Sequence, residues 1–237
     1  VGSSWDYYVG CDIGQANDPT AIAIVEEPTF LDMDRAYELN VPVSGWVAPE
    51  QLNIYQAARM RQRPSLAPAR PVLSVRHLER LPLQTKYPAV VAQLVKLMSM
   101  APLKGRAVLI VDATGVGRPI VDALEQAGLL PVAITITGGN TVGGAGRVLS
   151  VPKRDLVGAA LVCMQAGRLK VAEGLPEAPT LVRELLNFKV TISTAGHDTY
   201  AAWRESVHDD LVLALSIAVW FREYNCTHLD NAMVQRP

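Results

Sequence analysis

Residues 211 to 220 read Leu-Val-Leu-Ala-Leu-Ser-Ile-Ala-Val-Trp, with Ser216 the only polar side chain. Wound as a helix, this run is apolar on nearly every face, the pattern of a buried helix and not of an amphipathic surface one. A chain that contains it must fold so as to enclose it. Directly before it stand His208, Asp209 and Asp210. Carboxylates beside a buried segment are costly unless something pairs with them. The helix dipole favours acids at this end by roughly 0.3–1 kcal/mol, so placement alone does not demand a function. Asp210, Ala214 and Ala218 share one face, however. Small residues there let the helix approach a sheet closely and turn one carboxylate inward.

The sheet that would enclose this helix is legible upstream. Tyr7 to Gly14 and Thr20 to Glu26 are strand-like and flank the turn-forming Ala16-Asn17-Asp18-Pro19, which predicts a hairpin. A third strand over Val72 to Leu81 completes a meander. The six prolines between residues 28 and 71 mark a surface insertion, with one short helix near Glu50 to Arg59. Apolar residues at helical spacing predict a helix over Pro88 to Met100, and Ala107 to Val111 is a buried-strand run ending in Asp112. A second helix reaches Ala127 and closes at Gly128, and Pro131 to Thr137 is another strand. After a glycine-rich turn or hairpin at about 138–150 we expect helices over Lys153 to Ala166 and Pro179 to Phe188, then a strand near Lys189 to Ser193. Strands followed by alternating helices and strands define an α/β fold, a mixed sheet with helices on both faces. We expect a single domain over residues 1–237, large enough to bury a substantial core.

Within that frame the acids acquire a common address. Asp12 lies at the end of the first strand, before Gly14; alone, it is also what a polar strand end feeding a turn looks like. Asp112 precedes a loop at a strand's C-terminal end, where open α/β sheets bind ligands, although an aspartate there also caps helices. A meander followed by a right-handed crossover sets the first and fourth strands side by side. Asp12 and Asp112 then meet, and the last helix can bring Asp209 or Asp210 to them. Carboxylates that close cannot all stay ionised without a cation, unless a pKa rises. All-oxygen ligands select magnesium or manganese, and two such ions about 3.5–4 Å apart make a phosphoryl-transfer site. On this reading the acids are paired with metal and not with side chains.

Four segments, in order, resemble the nuclease domain of the tailed-phage terminase large subunit, a member of the ribonuclease-H-like superfamily. They are YVGCDIGQANDPTAIAIV, VLIVDATGVGRPIVDAL, VPKRDLVGAAL with the following AGRL, and HDDLVLALSIAV. The resemblance implies a ribonuclease-H-like fold and a Mg2+- or Mn2+-dependent endonuclease, with two ions, that cuts concatemeric double-stranded viral DNA during genome packaging. It carries the metal-ligand and catalytic role to Asp12, Asp112, Asp209 and Asp210, without choosing between the last two. Asp18 and Lys153 match recurrent positions of the family, and each also suits a plain turn or a solvated helix start. The implied partners are an ATPase motor domain, the small terminase subunit and the portal. No G-x-x-x-x-G-K-[ST] motif occurs in the chain, so the motor is not part of this sequence. Either the motor was removed, as a start at Val1 suggests, or the chain is a stand-alone relative.

Bulk properties agree. No window approaches the roughly 20 uncharged apolar residues of a membrane span, and the opening VGSSWDYY has neither the basic flank nor the apolar stretch of a secretory signal. Three cysteines, far apart, suggest neither a disulfide framework nor a thiolate zinc site. The expected location is the cytoplasm of a phage-infected host, without secretion or membrane contact. A net charge of −1 excludes a wholly basic surface but allows patches. The candidate DNA contacts are the arginines between Arg59 and Arg80, chiefly Arg76 and Arg80, together with Arg147, Lys153 and Arg154 around the glycine-rich segment. His208 could carry a proton or simply pair with its acidic neighbours. The competing readings are a junction-resolvase-type nuclease of the same superfamily, an actin-like or sugar-kinase-like ATPase using both Asp-x-Gly-type turns for phosphate, and a DNA-binding scaffold without metals.

Overall fold

The computed structural model describes residues 5–14, 18–28, 71–115, 118–194 and 209–234. The proline-rich insertion and its short helix therefore lie outside the described residues. Strands β1 (Tyr7–Asp12), β2 (Ala21–Glu26) and β3 (Leu73–Arg80) form the expected antiparallel meander. Helix α1 (Tyr87–Ser99) crosses to β4 (Ala107–Asp112), which pairs in parallel with β1. Helix α2 (Arg118–Gln126) leads to β5 (Val132–Thr137), parallel to β4. The glycine-rich segment is a hairpin of β6 (Gly143–Ala145) and β7 (Val148–Pro152), and β7 pairs in parallel with β5. Helix α3 (Lys153–Gln165), a short β8 (Leu169–Val171), α4 (Ala178–Thr194) and α5 (Asp210–Val234) complete the chain.

Among the described residues the sheet has eight strands in the order β6-β7-β5-β4-β1-β2-β3-β8. This is the mixed sheet expected from the sequence, a three-strand antiparallel meander joined to parallel strands with helices on both faces. Because both faces are covered, β1 and β4 are continuous apolar runs and not alternating ones. On one face Val9, Cys11, Ile22, Leu109 and Val111 pack against Val90 and Leu94 of α1 and Ile120 and Leu124 of α2. On the other, Tyr8, Ala21, Ala23, Val25, Val108 and Ile110 meet α5.

Helix α5 is the keystone of that second face. Leu211, Leu215 and Ile217 are fully buried, each such side chain being worth about 1.5–3 kcal/mol over exposure. Its Ala214 and Ala218 lie directly on β1 at Gly10. A Cβ placed on Gly10 would come within 2.0 Å of the Ala214 carbonyl oxygen and 3.0 Å of the Ala218 nitrogen. The small-residue face read in the sequence is thus the contact face. No helix among the described residues is long and apolar enough to cross a membrane.

Helices α2 and α3 end as their glycines require. Gly128 (φ +85°) and Gly167 (φ +67°) take the left-handed conformation, and Leu129 and Arg168 donate back to the carbonyls of Leu124 and Cys163 at 3.0 and 2.8 Å. One expectation is corrected. The strand expected near Lys189 to Ser193 is instead part of α4, which runs on to Thr194. A short β-branched run does not separate strand from helix by pattern, and the place beside β3 is taken by β8. The hairpin expected at about 138–150 is present as β6 and β7, whereas the pairing of β7 with β5 and the short β8 were not anticipated.

Candidate functional site

The β1–β4 register pairs Tyr7 with Ala107 and continues in step to Cys11 with Val111. One residue further, Asp12 and Asp112 end neighbouring parallel strands, about 4.8 Å apart in backbone, on the face that α5 covers. Asp12 is buried. Its carboxyl is pushed well above the usual carboxylate range by burial first, then by the charges of Asp112, Asp210 and Asp209, with Lys153 opposing. Asp112 is held by Thr114. Oδ1 of Asp112 accepts the Thr114 backbone N–H at 2.8 Å and also the Thr114 hydroxyl, whose oxygen accepts the Ile136 N–H from β5 at 2.7 Å.

The start of α5 supplies the other acids. The Asp209 carbonyl accepts the Leu213 N–H at 2.9 Å, which makes Asp209 the N-cap and Asp210 the first helical residue. Both acids carry a basic partner. Asp210 Oδ2 accepts from Arg80 Nη2 at 2.8 Å, and Asp209 Oδ2 from Lys153 Nζ at 3.2 Å. The expectation that metal and not side chains would pair these acids is corrected accordingly: a carboxylate drawn into the interior takes the nearest counter-charge. Arg80 reaches it from the end of β3, since Arg80 lies opposite Ala21 and Ala21 opposite Asp12. Burial still raises Asp210 to about 6, against the charge and hydrogen bond of Arg80, with Asp209 and Asp18 adding to the rise.

Glu184 of α4 is a member of this cluster that the sequence did not reveal. It is buried, and burial chiefly lifts it to about 7. Its Oε2 accepts the N–H groups of both Leu211 and Val212, at 3.0 and 3.1 Å. Arg80 Nη1 stands 3.9 Å from its Oε1. Both Glu184 Oε1 and Arg80 Nε are buried without a hydrogen-bond partner among the described residues. Thr114 was legible as part of Asp-Ala-Thr-Gly but not as the clamp on Asp112. An acid on an amphipathic helix, like Glu184, gives no signal of its burial.

The remaining candidates divide. Asp18 is exposed in the turn after β1, near enough for its charge to act on Asp210. Lys153, at the start of α3, joins the cluster through Asp209. Arg147 is exposed at the β6–β7 turn. Arg154 is exposed too, donating to Asp155 at 3.3 Å and to the Asn140 carbonyl at 3.0 Å. Arg76 is not brought to the acids: it lies toward the opposite end of the sheet, ion-paired with Glu26 at 2.5 Å. His208 and the arginines at 59, 61, 63 and 70 lie outside the described residues.

What the cluster can do follows from its charge. Among the described residues Asp12, Asp112, Asp209, Asp210 and Glu184 gather here with Asp18 acting on Asp210 from the turn, and Lys153 and Arg80 oppose their charge. Excess negative charge on hard oxygen donors suits a divalent magnesium- or manganese-type cation. Among the described residues no three His, Cys, Asp or Glu side chains are yet gathered closely enough to hold one. Asp209 and Asp210 are turned to their basic partners. The donor chemistry fits such an ion, with Asp12, Asp112 and the α5 pair as the residues that would hold it.

No family model and no curated protein sequence matches the chain. Among solved structures it is similar to the large terminase nuclease from thermophilic phage G20c, at 18% identity and a TM-score of 0.49, over 91% of this chain and 81% of that one. It is similar to the large terminase of the thermophilic bacteriophage D6E at 14% identity and a TM-score of 0.48, over 94% of this chain and 41% of that one. A third is the Mn-soaked, inhibitor-bound human cytomegalovirus terminase nuclease domain, at 13% identity and a TM-score of 0.43, over 93% and 82% of the two chains.

Proposed function

We propose that this chain is a magnesium- or manganese-dependent endonuclease of the terminase large-subunit type, cutting double-stranded concatemeric DNA during genome packaging. The observation that carries the reading is the register of β1 on β4, which sets Asp12 beside Asp112 beneath the Asp209-Asp210 start of α5. That these acids share one local field is what a hydrolytic site for phosphodiesters needs and what a plain strand end or helix cap does not. When bound, two divalent ions supply an activated water and neutralise charge on the departing oxygen.

The chain's own groups do the rest. Asp12 and Asp112 would hold the ions from the strands, and Thr114 fixes the rotamer of Asp112 through its two hydrogen bonds. Asp209 or Asp210 closes the site from α5. Lys153, Arg154 and Arg147 face the phosphate backbone from the start of α3 and the β6–β7 turn. Such contacts position a duplex without reading its sequence. In the longer protein the motor domain, the small subunit and the portal are the proposed partners, in the cytoplasm of the infected host.

The phosphate-gripping use of the two Asp-x-Gly-type turns, which an ATPase reading needs, is disfavoured. A Cβ on Gly14 would meet the Asp18 carbonyl oxygen at 2.0 Å, so that glycine is spent on closing its own turn, and Thr114 is spent on Asp112 and Ile136. The test is plasmid cleavage with Mn2+ or Mg2+ at low salt and with chelator. Asp12→Asn and Asp112→Asn should each remove cleavage while circular dichroism stays that of the parent. Cleavage that survives either substitution, or that persists in chelator, refutes the proposal.

A further inference from the structure

An Asp at a helix N-cap ordinarily turns its side chain back to accept the N–H of the second or third helical residue. Asp209 is the N-cap of α5, and those residues are Leu211 and Val212. Both N–H groups are instead taken by one oxygen of Glu184, reaching over from α4. The Asp209 carboxylate faces outward to Lys153 and the Asp210 carboxylate to Arg80. Glu184 also stands beside that same Arg80.

We propose that Glu184 is a positioning residue for the α5 acid pair: by capping the helix from outside, it relieves Asp209 of capping, so that both aspartates can turn from their basic partners toward a cation shared with Asp12 and Asp112. The inference rests on the metal-site reading above. It explains why a carboxylate is buried at a place where an apolar residue would pack at lower cost. Such a residue belongs beneath the ligands and not among them, and substitution of groups of that kind typically costs about 10- to 100-fold in metal affinity.

The experiment is Mn2+ titration of the full 237-residue chain, followed by electron paramagnetic resonance of the free ion, with thermal unfolding recorded in parallel. Glu184→Met, which keeps the volume and removes the acceptor, should weaken Mn2+ binding by about 10- to 100-fold. Glu184→Gln, whose amide oxygen still caps, should restore it. Mn2+ affinity unchanged in folded Glu184→Met, with only the melting temperature lowered, reduces Glu184 to a structural cap and overturns the proposal. Should the methionine variant not fold, the glutamine variant decides. Affinity retained supports the proposal, and a loss as large as that of Asp12→Asn overturns it, because capping needs an acceptor and not a charge. Asp12→Asn run beside them separates the two levels: if that variant binds Mn2+ like the parent, the metal-site reading fails regardless of Glu184.

Discussion

Gly10→Ala is the substitution that most directly probes how the acids are brought together. The added Cβ would sit 2.0 Å from the Ala214 carbonyl oxygen and 3.0 Å from the Ala218 nitrogen, both backbone atoms of α5. Neither can swing aside as a flexible side chain would. An ordinary contact begins near 3.4 Å, so the helix must rise from β1 by up to about 1.4 Å. Overpacking a close-packed core costs typically about 1–3 kcal/mol, and a backbone-on-backbone clash belongs at the upper end. At about 2–4 °C per kcal/mol for a chain of this size, the melting temperature should fall by about 6–12 °C. The same lift carries the first turn of α5 away from the strand ends, because Gly10 stands two residues before Asp12 on β1 and Ala214 one turn after Asp210 on α5. Mn2+ affinity should fall together with stability, measured at a temperature where the variant is fully folded. A variant that melts lower but binds Mn2+ like the parent would refute the claim that helix height sets the site. One that melts like the parent would refute the packing itself.

Two further outcomes follow from the ionisable groups. Asp210 at about 6 and Glu184 at about 7 are raised above ordinary values of 3.8 and 4.5, so their burial penalty is absent below about pH 4 and complete above about pH 7. Glu223 is held near 2, so its stabilisation is lost as pH falls from 4.5 toward 2. Urea unfolding of the metal-free protein should therefore show greatest stability near pH 4–5 and a decline toward pH 7; a maximum at or above pH 7 would contradict these assignments. Arg222→Met removes a buried guanidinium that binds Glu27 at 2.5 and 2.8 Å, and should cost about 3 kcal/mol in urea unfolding with Mn2+ affinity of the folded protein unchanged. A loss of Mn2+ affinity would tie that distant cluster to the site.

The parts of the fold legible in the sequence are those whose signal is local. The apolar runs of β1 and β4, the helical periods of α1 and α2, and Gly128 after α2 all report their structure through neighbours in sequence. The meeting of Asp12 with Asp112 was also within reach, because chain order and crossover handedness constrain which strands adjoin. What escaped was set by tertiary pairing. Val148–Pro152 becomes a strand because β5 offers it an edge, and the β-branched residues after Phe188 continue a helix. The pairing of Asp210 with Arg80, 130 residues away, and the capping of α5 by Glu184 leave no periodic trace in the chain. Reading the acids as destined for metal alone overlooked that a buried carboxylate also recruits the nearest guanidinium or ammonium.

The start and the middle of α5 differ in how buried charge is compensated. Twelve residues beyond Asp210, about 18 Å along the helix, Arg222 is buried against Glu27 in a bidentate pair and against Glu223 at 2.6 Å, while Arg168 holds Glu223 from the far side at 2.7 Å. There the cations draw Glu223 down to about 2 in spite of burial. At the start of the helix, with the same sheet beneath it, Asp12, Asp210 and Glu184 are all pushed upward, by burial first. Cost alone cannot explain the difference, since a further arginine or an asparagine at Asp12 would relieve it. Buried acids raised together where strands β1 and β4 end are the kind of local conflict that folds retain at functional sites. On the proposed metal-site reading a divalent cation would relieve these acids, whose burial, first, and mutual charge make the metal-free protein less stable as pH rises toward neutrality.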